Sequence, residues 1–234
     1  MKREELKKLA LNDEQIDKVM SLHGADVEAM KAKTDELGKT NESLQSQIAE
    51  RDKDLKTLKK QTGDNEGSSQ LATPKLIIAH STATPNGEAW SISRNMKNGI
   101  NVSQTYVHFV IDDKSIYQVG ELGYVAWGAG SPANSLAPVQ IELCEFSNHR
   151  RALKAYKHYV NWLRWSAKKY GIPLALDTNS YRGIKTHSWL VQHGYSNTDH
   201  TDPWQYLPKI GISKAKFAKD LTKGFSGLNI ALTK

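Results

Sequence analysis

The chain has 234 residues, one cysteine (Cys144) and a formal net charge of +7. A single cysteine excludes an intrachain disulfide and a cysteine-rich zinc ribbon, so any metal must be bound by histidine and carboxylate side chains. The charge is uneven, since residues 1–66 carry 13 Lys/Arg and 15 Asp/Glu, whereas residues 67–234 carry 19 and 10. We expect this basic second part to attract a polyanion, and charge alone does not choose between nucleic acid and anionic cell-wall polymers.

The first fifteen residues are charged throughout and lack the apolar core of a signal peptide. No run of residues approaches the roughly 18 apolar residues that a membrane-spanning helix needs. The sequence therefore predicts a soluble chain without a membrane span, made in the cytoplasm without a signal peptide.

Residues 1–62 are predicted to be helical. Asn12 is a suitable N-cap for a helix that starts at Asp13, and the pair His23-Gly24 indicates an end to that helix. Beyond it, an approximate heptad repeat begins at Val27.

The heptad repeat gives two series of positions seven residues apart, which together form an a/d seam. The seam comprises Val27, Thr34, Asn41, Ile48 and Leu55 in one series, and Met30, Leu37, Leu44, Arg51 and Leu58 in the other. More than four heptads with charged residues between them are typical of a coiled coil, in which Asn41 would fix the register. We therefore expect self-association through residues 27–58, and the alternative is a solvated helix without a partner.

A flexible linker is predicted over residues 63–73, because glycine, serine, asparagine and proline cluster over 61–74 and aromatic residues are absent. All six tryptophans and all nine tyrosines lie beyond it. We expect a globular domain over residues 74–224 and a tail over residues 225–234.

Strands and helices alternate within this domain. Strands are predicted over 75–81, 106–112, 115–120 and 138–146, with the second and third forming a hairpin. In the last strand Val139, Ile141 and Leu143 share one face, and Gln140, Glu142 and Cys144 share the other. Helical spacing of Leu153, Tyr156, Val160 and Leu163 predicts a helix that ends near Gly171, and a final helix is predicted from Ser213 to Lys223. The pattern predicts an α/β fold with a central mixed sheet flanked by helices.

Three residues have local contexts that suit zinc ligands. His80 ends an apolar strand in LIIAHSTATP, His187 lies in IKTHSWL, and Asp202 follows His200 by two residues in TDHTDPW. Each residue taken alone is more often structural than a ligand. Two imidazoles and one carboxylate would leave one position of a tetrahedral Zn²⁺ open, which is the arrangement of a catalytic site, so the set suggests a metal-dependent hydrolase.

Six ordered motifs resemble one known family. They are LIIAHSTATP, YVHFVIDDKSIYQVG, VAWGAG, PVQIELCEF, KTHSWL and TDHTDPWQYL. In this order they resemble the zinc-dependent N-acetylmuramoyl-L-alanine amidases of the type 2, peptidoglycan-recognition-protein family, in the branch that includes phage endolysins and autolysins. The resemblance covers about residues 74–224. It implies hydrolysis, at the bacterial cell wall, of the amide bond between N-acetylmuramic acid and L-alanine of the stem peptide.

The resemblance also implies roles for individual residues. His80, His187 and Asp202 match the three Zn²⁺ ligands, although many relatives have cysteine at the third position. Glu142 matches the catalytic acid and base, and His200 matches a residue that stabilises the transition state.

Three further residues are expected to bind substrate, namely Tyr106, His108 and Trp127. Two of them have an open alternative, since His108 could instead pack against the groove and Trp127 could equally belong to the core. Relatives often have the tyrosine immediately before the strand histidine, whereas Val107 intervenes here. The implied partners are peptidoglycan and anionic wall polymers, and a nucleic acid is not expected.

The first segment is similar to the start of phage capsid scaffolding proteins, which are largely coiled coil. Two alternatives to the enzyme therefore stay open. One is a non-catalytic peptidoglycan-binding module with the same fold, and the other is a phage structural or scaffolding protein that acts through its N-terminal coiled coil.

Overall fold

The computed structural model describes the backbone of residues 2–61, 67–227 and 232–233, and their side chains except at 52–61, 101 and 232–233. The chain divides into two compact units, residues 1–63 and 64–234. The first unit contains two helices, α1 (Arg3–Lys7) and α2 (Asp13–Gln61).

The long helix α2 begins as predicted, since the Asn12 side chain accepts a hydrogen bond from the Gln15 N–H and the Gln15 side chain accepts one from the Asn12 N–H. This reciprocal pair satisfies two otherwise unpaired donors at the helix start. The predicted end at His23-Gly24 is wrong, because α2 continues through both residues to Gln61. A single glycine costs only about 1 kcal/mol in a helix, which a long helix tolerates.

The predicted a/d seam lies on the surface of α2. Its large apolar residues are between 45 and 72 % exposed, and they are Val27, Met30, Leu37, Leu44 and Ile48. Leu55 and Leu58 lie outside the described side chains. Near the start of this unit Leu6 and Ile16 are buried, where α1 packs on α2.

The second unit contains a mixed sheet and five further α-helices among its described residues. The strands are β1 (Leu76–Pro85), β2 (Phe109–Ile111), β3 (Ile116–Gln118), β4 (Val139–Glu145), β5 (Gly183–Thr186) and β6 (Leu232–Thr233). The helices are α3 (Ala89–Ser103), α4 (Ala133–Leu136), α5 (His149–Lys169), α6 (His187–Gln192) and α7 (Lys214–Lys223). The predicted α/β fold is confirmed.

The strand order across the sheet is β5-β1-β4-β2-β3-β6. Strand β1 pairs in parallel with β4 and β5, β2 pairs in parallel with β4, and β2 and β3 form the predicted antiparallel hairpin. Helix α5 packs against β4 and β1, and its buried apolar residues belong to the main hydrophobic core. The polar residues of β1 and β4 are thereby held at fixed positions in the middle of the sheet.

The segments at both ends of the second unit are bound to it more closely than their composition suggests. Residues 70–73 donate or accept backbone hydrogen bonds with Gly123, Val125 and Ser135, so the folded unit starts before residue 74. At the other end the Phe225 backbone exchanges two hydrogen bonds with the Asn161 side chain, and β6 pairs with β3. Residues 63–66 of the predicted linker lie outside the described residues.

Among the described residues, no helix is both long enough and apolar enough to cross a membrane.

Candidate active site

Two neighbouring strands place the first pair of functional side chains. His80 on β1 lies opposite Glu142 on β4 in the parallel register. Residues that are opposite each other on adjacent strands project from the same face of a sheet. The apolar runs that flank both residues bury these strands, so the two polar side chains lie side by side in the interior.

His187 is held by the turn between β5 and α6. Thr186 caps α6, its hydroxyl accepting a hydrogen bond from the Trp189 N–H. Asp177 in turn accepts hydrogen bonds from the Thr186 N–H and hydroxyl. Asp202 is fixed beside this turn, because its carbonyl oxygen accepts a hydrogen bond from the Ser188 N–H at 3.0 Å.

The structure brings together His80, His187 and Asp202, all of which are buried. Asp202 lies between the two rings, with Oδ2 3.0 Å from His80 Nδ1 and Oδ1 3.1 Å from His187 Nδ1. One potential ligand atom from each residue lies within 4.8 Å of the other two. Ligands about 2.0–2.1 Å from one tetrahedral ion are roughly 3.3 Å apart, so this spacing suits a single metal ion.

The charges of these three groups depend on one another. Burial disfavours the Asp202 carboxylate, but the two histidines outweigh burial and hold its pKa well below the usual range. Burial also disfavours the charged His80 ring, yet Asp202 and Glu142 together raise its pKa. Burial lowers the pKa of His187 despite its contact with Asp202. The site therefore presents an ionised carboxylate between two imidazoles.

A cavity of about 340 Å³ opens over these three residues, and Glu142 and His200 line it with them. Burial raises the pKa of Glu142 to about 8, opposed by His80 and assisted by the Asp202 charge. His200 lies at the rim, with 61 % of its side chain exposed, and its ring centroid is 4.8 Å from that of His187. All five residues predicted as ligands or catalytic groups thus meet in one cavity.

Tyr106 and His108 are absent from the lining of this cavity, and their contact with substrate stays a prediction. Tyr106 is buried, and its hydroxyl donates to the Val125 carbonyl oxygen at 2.6 Å and accepts from the Ser68 N–H at 2.7 Å. His108 is buried beside Gln140, and burial lowers its pKa to about 4. Both side chains are used within the folded unit.

The alternate residues of the same segment, Thr105 and Val107, line the cavity instead. Successive side chains of an extended chain point to opposite sides, so a placement that is wrong by one residue exchanges the two sides. The half-buried Trp127 ring packs on the core, edge-on to Tyr106 at 5.2 Å, and its contact with substrate stays a prediction. In the VAWGAG motif it is Gly128 that borders the cavity.

Sequence reasoning missed the residues that contact the far sides of the two histidine rings. Gln140 Oε1 lies 3.3 Å from His80 Nε2, and Thr198 Oγ1 lies 2.8 Å from His187 Nε2. Gln140 could have been found from the strand alternation, because it shares a face with Glu142. Thr198 lies in a loop without a regular pattern, and its sequence carries no comparable signal.

The mixed α/β sheet thus holds a buried His-His-Asp group that could bind a metal ion beneath an open cavity. The sequence profile of N-acetylmuramoyl-L-alanine amidases matches residues 70–205. The chain belongs to this N-acetylmuramoyl-L-alanine amidase family.

Individual relatives agree with this assignment. The chain is 41% identical over 167 residues to an endolysin of Listeria phage A511, covering 68% of this chain and 47% of the relative. It is 34% identical over 119 residues to a lytic amidase of Streptococcus pneumoniae phage HB-3, covering 50% of this chain and 37% of the relative. The chain thus spans less than half the length of these two relatives.

Solved structures share the fold. The hydrolase AmiA of Staphylococcus aureus, solved in complex with its ligand, superposes with a TM-score of 0.60 at 20% identity, covering 67% of this chain and 78% of that one. The PlyG catalytic domain gives a TM-score of 0.53 at 22% identity, covering 68% and 87%. Separately, the profile of a phage capsid assembly scaffolding protein matches residues 1–73.

Proposed function

We propose that the chain is a zinc-dependent peptidoglycan hydrolase that cleaves the amide bond between N-acetylmuramic acid and L-alanine. Family membership and the names of the relatives, an endolysin and a lytic amidase, support the reaction class. The geometry of the cavity supports the metal and the assignment of roles.

The observation that carries this proposal is a group of buried polar atoms without hydrogen-bond partners. Among the described side chains four such atoms belong to residues of the cavity, namely Thr82 Oγ1, Glu142 Oε2, His187 Nδ1 and Gln205 Oε1. His187 Nδ1 lies 3.1 Å from Asp202 Oδ1 but is poorly aligned for a hydrogen bond to it. Buried polar groups are nearly always satisfied, so this concentration indicates that the cavity binds a ligand.

The three residues fit zinc by their chemistry. Two imidazole nitrogens and one carboxylate are a common donor set for catalytic zinc, and they leave one position open. His80 Nδ1, His187 Nδ1 and an Asp202 oxygen would hold the ion. When bound, zinc would supply a Lewis acid that polarises the scissile carbonyl and acidifies water.

Glu142 and His200 would carry the proton transfer and the charge stabilisation. Glu142 lines the cavity beside His80, where its carboxylate could accept a proton from water and return it to the leaving amine. His200 lies at the rim on the same side as His187, where its ring could donate a hydrogen bond to the developing oxyanion. Thr105 and Val107 would border the bound substrate.

The experiment uses the purified full-length chain on peptidoglycan. We expect turbidity to fall, free amino groups to appear on L-alanine without new reducing sugar ends, and a chelator to stop the reaction until zinc is added back. The exposed His149 offers a control, because His149→Ala should keep both metal and activity. Lysis that persists without metal would contradict the zinc assignment, and new reducing ends would contradict the bond.

For the first unit, we propose that α2 self-associates through its a/d seam as a parallel or antiparallel coiled coil. The exposed apolar residues of the seam and the match to a capsid scaffolding profile support an assembly role for this segment. Sedimentation equilibrium of the full-length chain over a range of concentrations should give a mass above that of the monomer. A monomer at all concentrations would contradict the proposal.

We also propose that the enzyme acts at the bacterial cell wall and that the net charge of +9 on residues 67–234 favours retention on anionic wall polymers. Such an attraction is screened by salt, so wall binding by the full-length chain should weaken as ionic strength rises. Binding that is independent of salt would contradict this part.

A further inference from the structure

Gln140 is a buried amide that the proposed chemistry does not use directly. It lies on β4 two residues before Glu142, and it is fully buried. Its side-chain Nε2 donates to the Ala126 carbonyl oxygen at 3.0 Å and to Asn134 Oδ1 at 3.1 Å. Its side-chain oxygen faces His80 Nε2 at 3.3 Å.

These contacts fix which end of the amide faces the histidine. The Ala126 carbonyl oxygen is only an acceptor, so it requires the NH₂ end of Gln140. Both N–H groups are then used away from His80, and the oxygen is left toward the ring. A rotated amide would place oxygen against oxygen on one side and lose both donated bonds.

The surrounding residues hold Gln140 in this position. Its backbone N–H donates to His108 Nδ1 at 2.9 Å, while His108 Nε2 lies 3.0 Å from the Tyr124 carbonyl oxygen and donates to it. A Cβ atom at Gly128 would lie 2.7 Å from Gln140 Oε1 and 2.7 Å from a methyl carbon of Val107. Two residues of the sequence motifs therefore fix the position of Gln140. His108 binds its backbone N–H, and Gly128 leaves room for its side-chain oxygen.

The two ring nitrogens of His80 consequently face different acceptors. Gln140 Oε1 cannot donate, so it requires a proton on Nε2. Asp202 Oδ2 faces Nδ1 at 3.0 Å and is an acceptor as well, so Nδ1 must either carry a proton or share a cation with Asp202. His187 differs, because the hydroxyl of Thr198 at its Nε2 can donate or accept.

We propose that Gln140 is a positioning residue that keeps Nε2 of His80 protonated and orients the ring so that Nδ1 is the nitrogen presented to the metal. The assignment of a metal rests on the proposed function, whereas the proton on Nε2 does not. Groups that hold the far nitrogen of a metal-binding histidine typically change metal affinity by about 10–100-fold when they are removed.

The test compares the full-length protein with Gln140→Leu, which removes the acceptor and keeps a side chain of similar size. Long-range ¹H–¹⁵N spectra of the histidine rings should show a proton on His80 Nε2 in the wild type, with and without zinc. In metal-free Gln140→Leu the Nε2 proton should be lost, because it no longer has an acceptor, and the ring should keep only the Nδ1 proton that faces Asp202, while the His187 signals stay as in the wild type. Zinc competition with a chromophoric chelator should show an affinity about 10–100-fold weaker.

A matched control is Gln118→Leu. Gln118 lies on β3, two strands away from Gln140 on β4, and among the described contacts its side chain bonds only to the Gly120 carbonyl oxygen. This variant should leave the His80 signals and the zinc affinity unchanged. A folded Gln140→Leu protein with the wild-type His80 signal and the wild-type zinc affinity would overturn the proposal.

If Gln140→Leu does not fold, Asn134→Ala provides the test. This variant removes one of the two acceptors of the Gln140 side-chain NH₂ group and keeps Gln140 itself. The His80 Nε2 proton should then exchange faster with solvent, and zinc should bind more weakly; wild-type values for both would overturn the proposal. A wild-type protein that binds no zinc but keeps the His80 Nε2 proton would contradict the metal in the proposed function and leave the role of Gln140 supported.

Discussion

The two units of the chain depart from the usual distribution of side chains in opposite ways. On α2 large apolar residues such as Leu37 and Leu44 are exposed, whereas in the second unit polar residues such as His80, Glu142 and Asp202 lie in the interior or line a cavity. Exposed apolar surface and unsatisfied buried polar atoms both cost free energy unless a partner covers or binds them. The functions proposed above assign a different partner to each unit, namely another helix for α2 and a metal ion with a polar substrate for the cavity.

The largest effect is expected when the carboxylate of the buried His-His-Asp group is removed. Asp202→Ala should lose bound zinc and abolish amide hydrolysis, because two histidines alone provide too few ligands. Metal content by elemental analysis and amino-group release on cell walls would be measured together. A variant that keeps full zinc and full activity would mean that Asp202 is a structural partner of the histidines.

The next test separates the catalytic group from the metal site. Glu142→Gln keeps the size of the side chain but cannot accept a proton, so kcat should fall by about 10²–10⁴-fold while zinc content stays the same. Single-turnover hydrolysis of a soluble muramyl peptide would measure the loss. Nearly normal turnover in a zinc-loaded variant would assign the proton transfer to another residue.

On α2 the corresponding test places charge in the a/d seam. In the double variant Leu37→Lys and Leu44→Lys, the dissociation constant should rise by at least about 100-fold, since each buried leucine contributes about 1.5–3 kcal/mol. Ser43→Lys with Ser46→Lys adds the same charge at exposed positions outside the seam and is the control. If both double variants weaken association equally, the effect is electrostatic and the seam is not the interface.

Much of this arrangement could be predicted, and the exceptions have physical causes. Strand alternation placed Glu142 toward the cavity, and the register of β1 with β4 puts it beside His80. Alternation did not decide which side of the segment near Val107 faces the cavity, because its odd and even positions both mix polar and apolar residues. Local propensity also misjudged α2 at Gly24, where the cost of one glycine is small within a long helix.

Long-range contacts were beyond prediction for a different reason. The bonds that join residues 70–73 and Phe225 to the second unit are made largely by backbone groups, which every sequence carries alike. The contact of Thr198 with His187 depends on a loop conformation that no periodic pattern describes. Such contacts become visible only once the sheet and helices have fixed the ends of each segment.

A pH test examines the burial of His108 in its neutral form. Its pKa of about 4 in the folded state lies below the usual 6.5, so the unfolded chain binds more protons between these values. Stability should therefore be fully present above pH 6.5 and fall by on the order of 3 kcal/mol as the pH decreases through 4. Urea unfolding at several pH values gives the free energy of unfolding as a function of pH. This dependence on pH should be weaker for His108→Gln than for the wild type. An unchanged dependence would mean that His108 is not buried in its neutral form.

The smallest effect concerns Tyr106, and it distinguishes a core residue from a substrate ligand. Tyr106→Phe leaves the Val125 carbonyl oxygen and the Ser68 N–H without their partner, so unfolding should become easier by about 1–2 kcal/mol. Because the ring itself is retained beside Trp127, kcat/KM should change by less than about twofold, which corresponds to under 0.5 kcal/mol. A loss of more than tenfold in kcat/KM with unchanged stability would instead place the hydroxyl in the substrate site, and it would reverse the assignment of alternate faces around Val107.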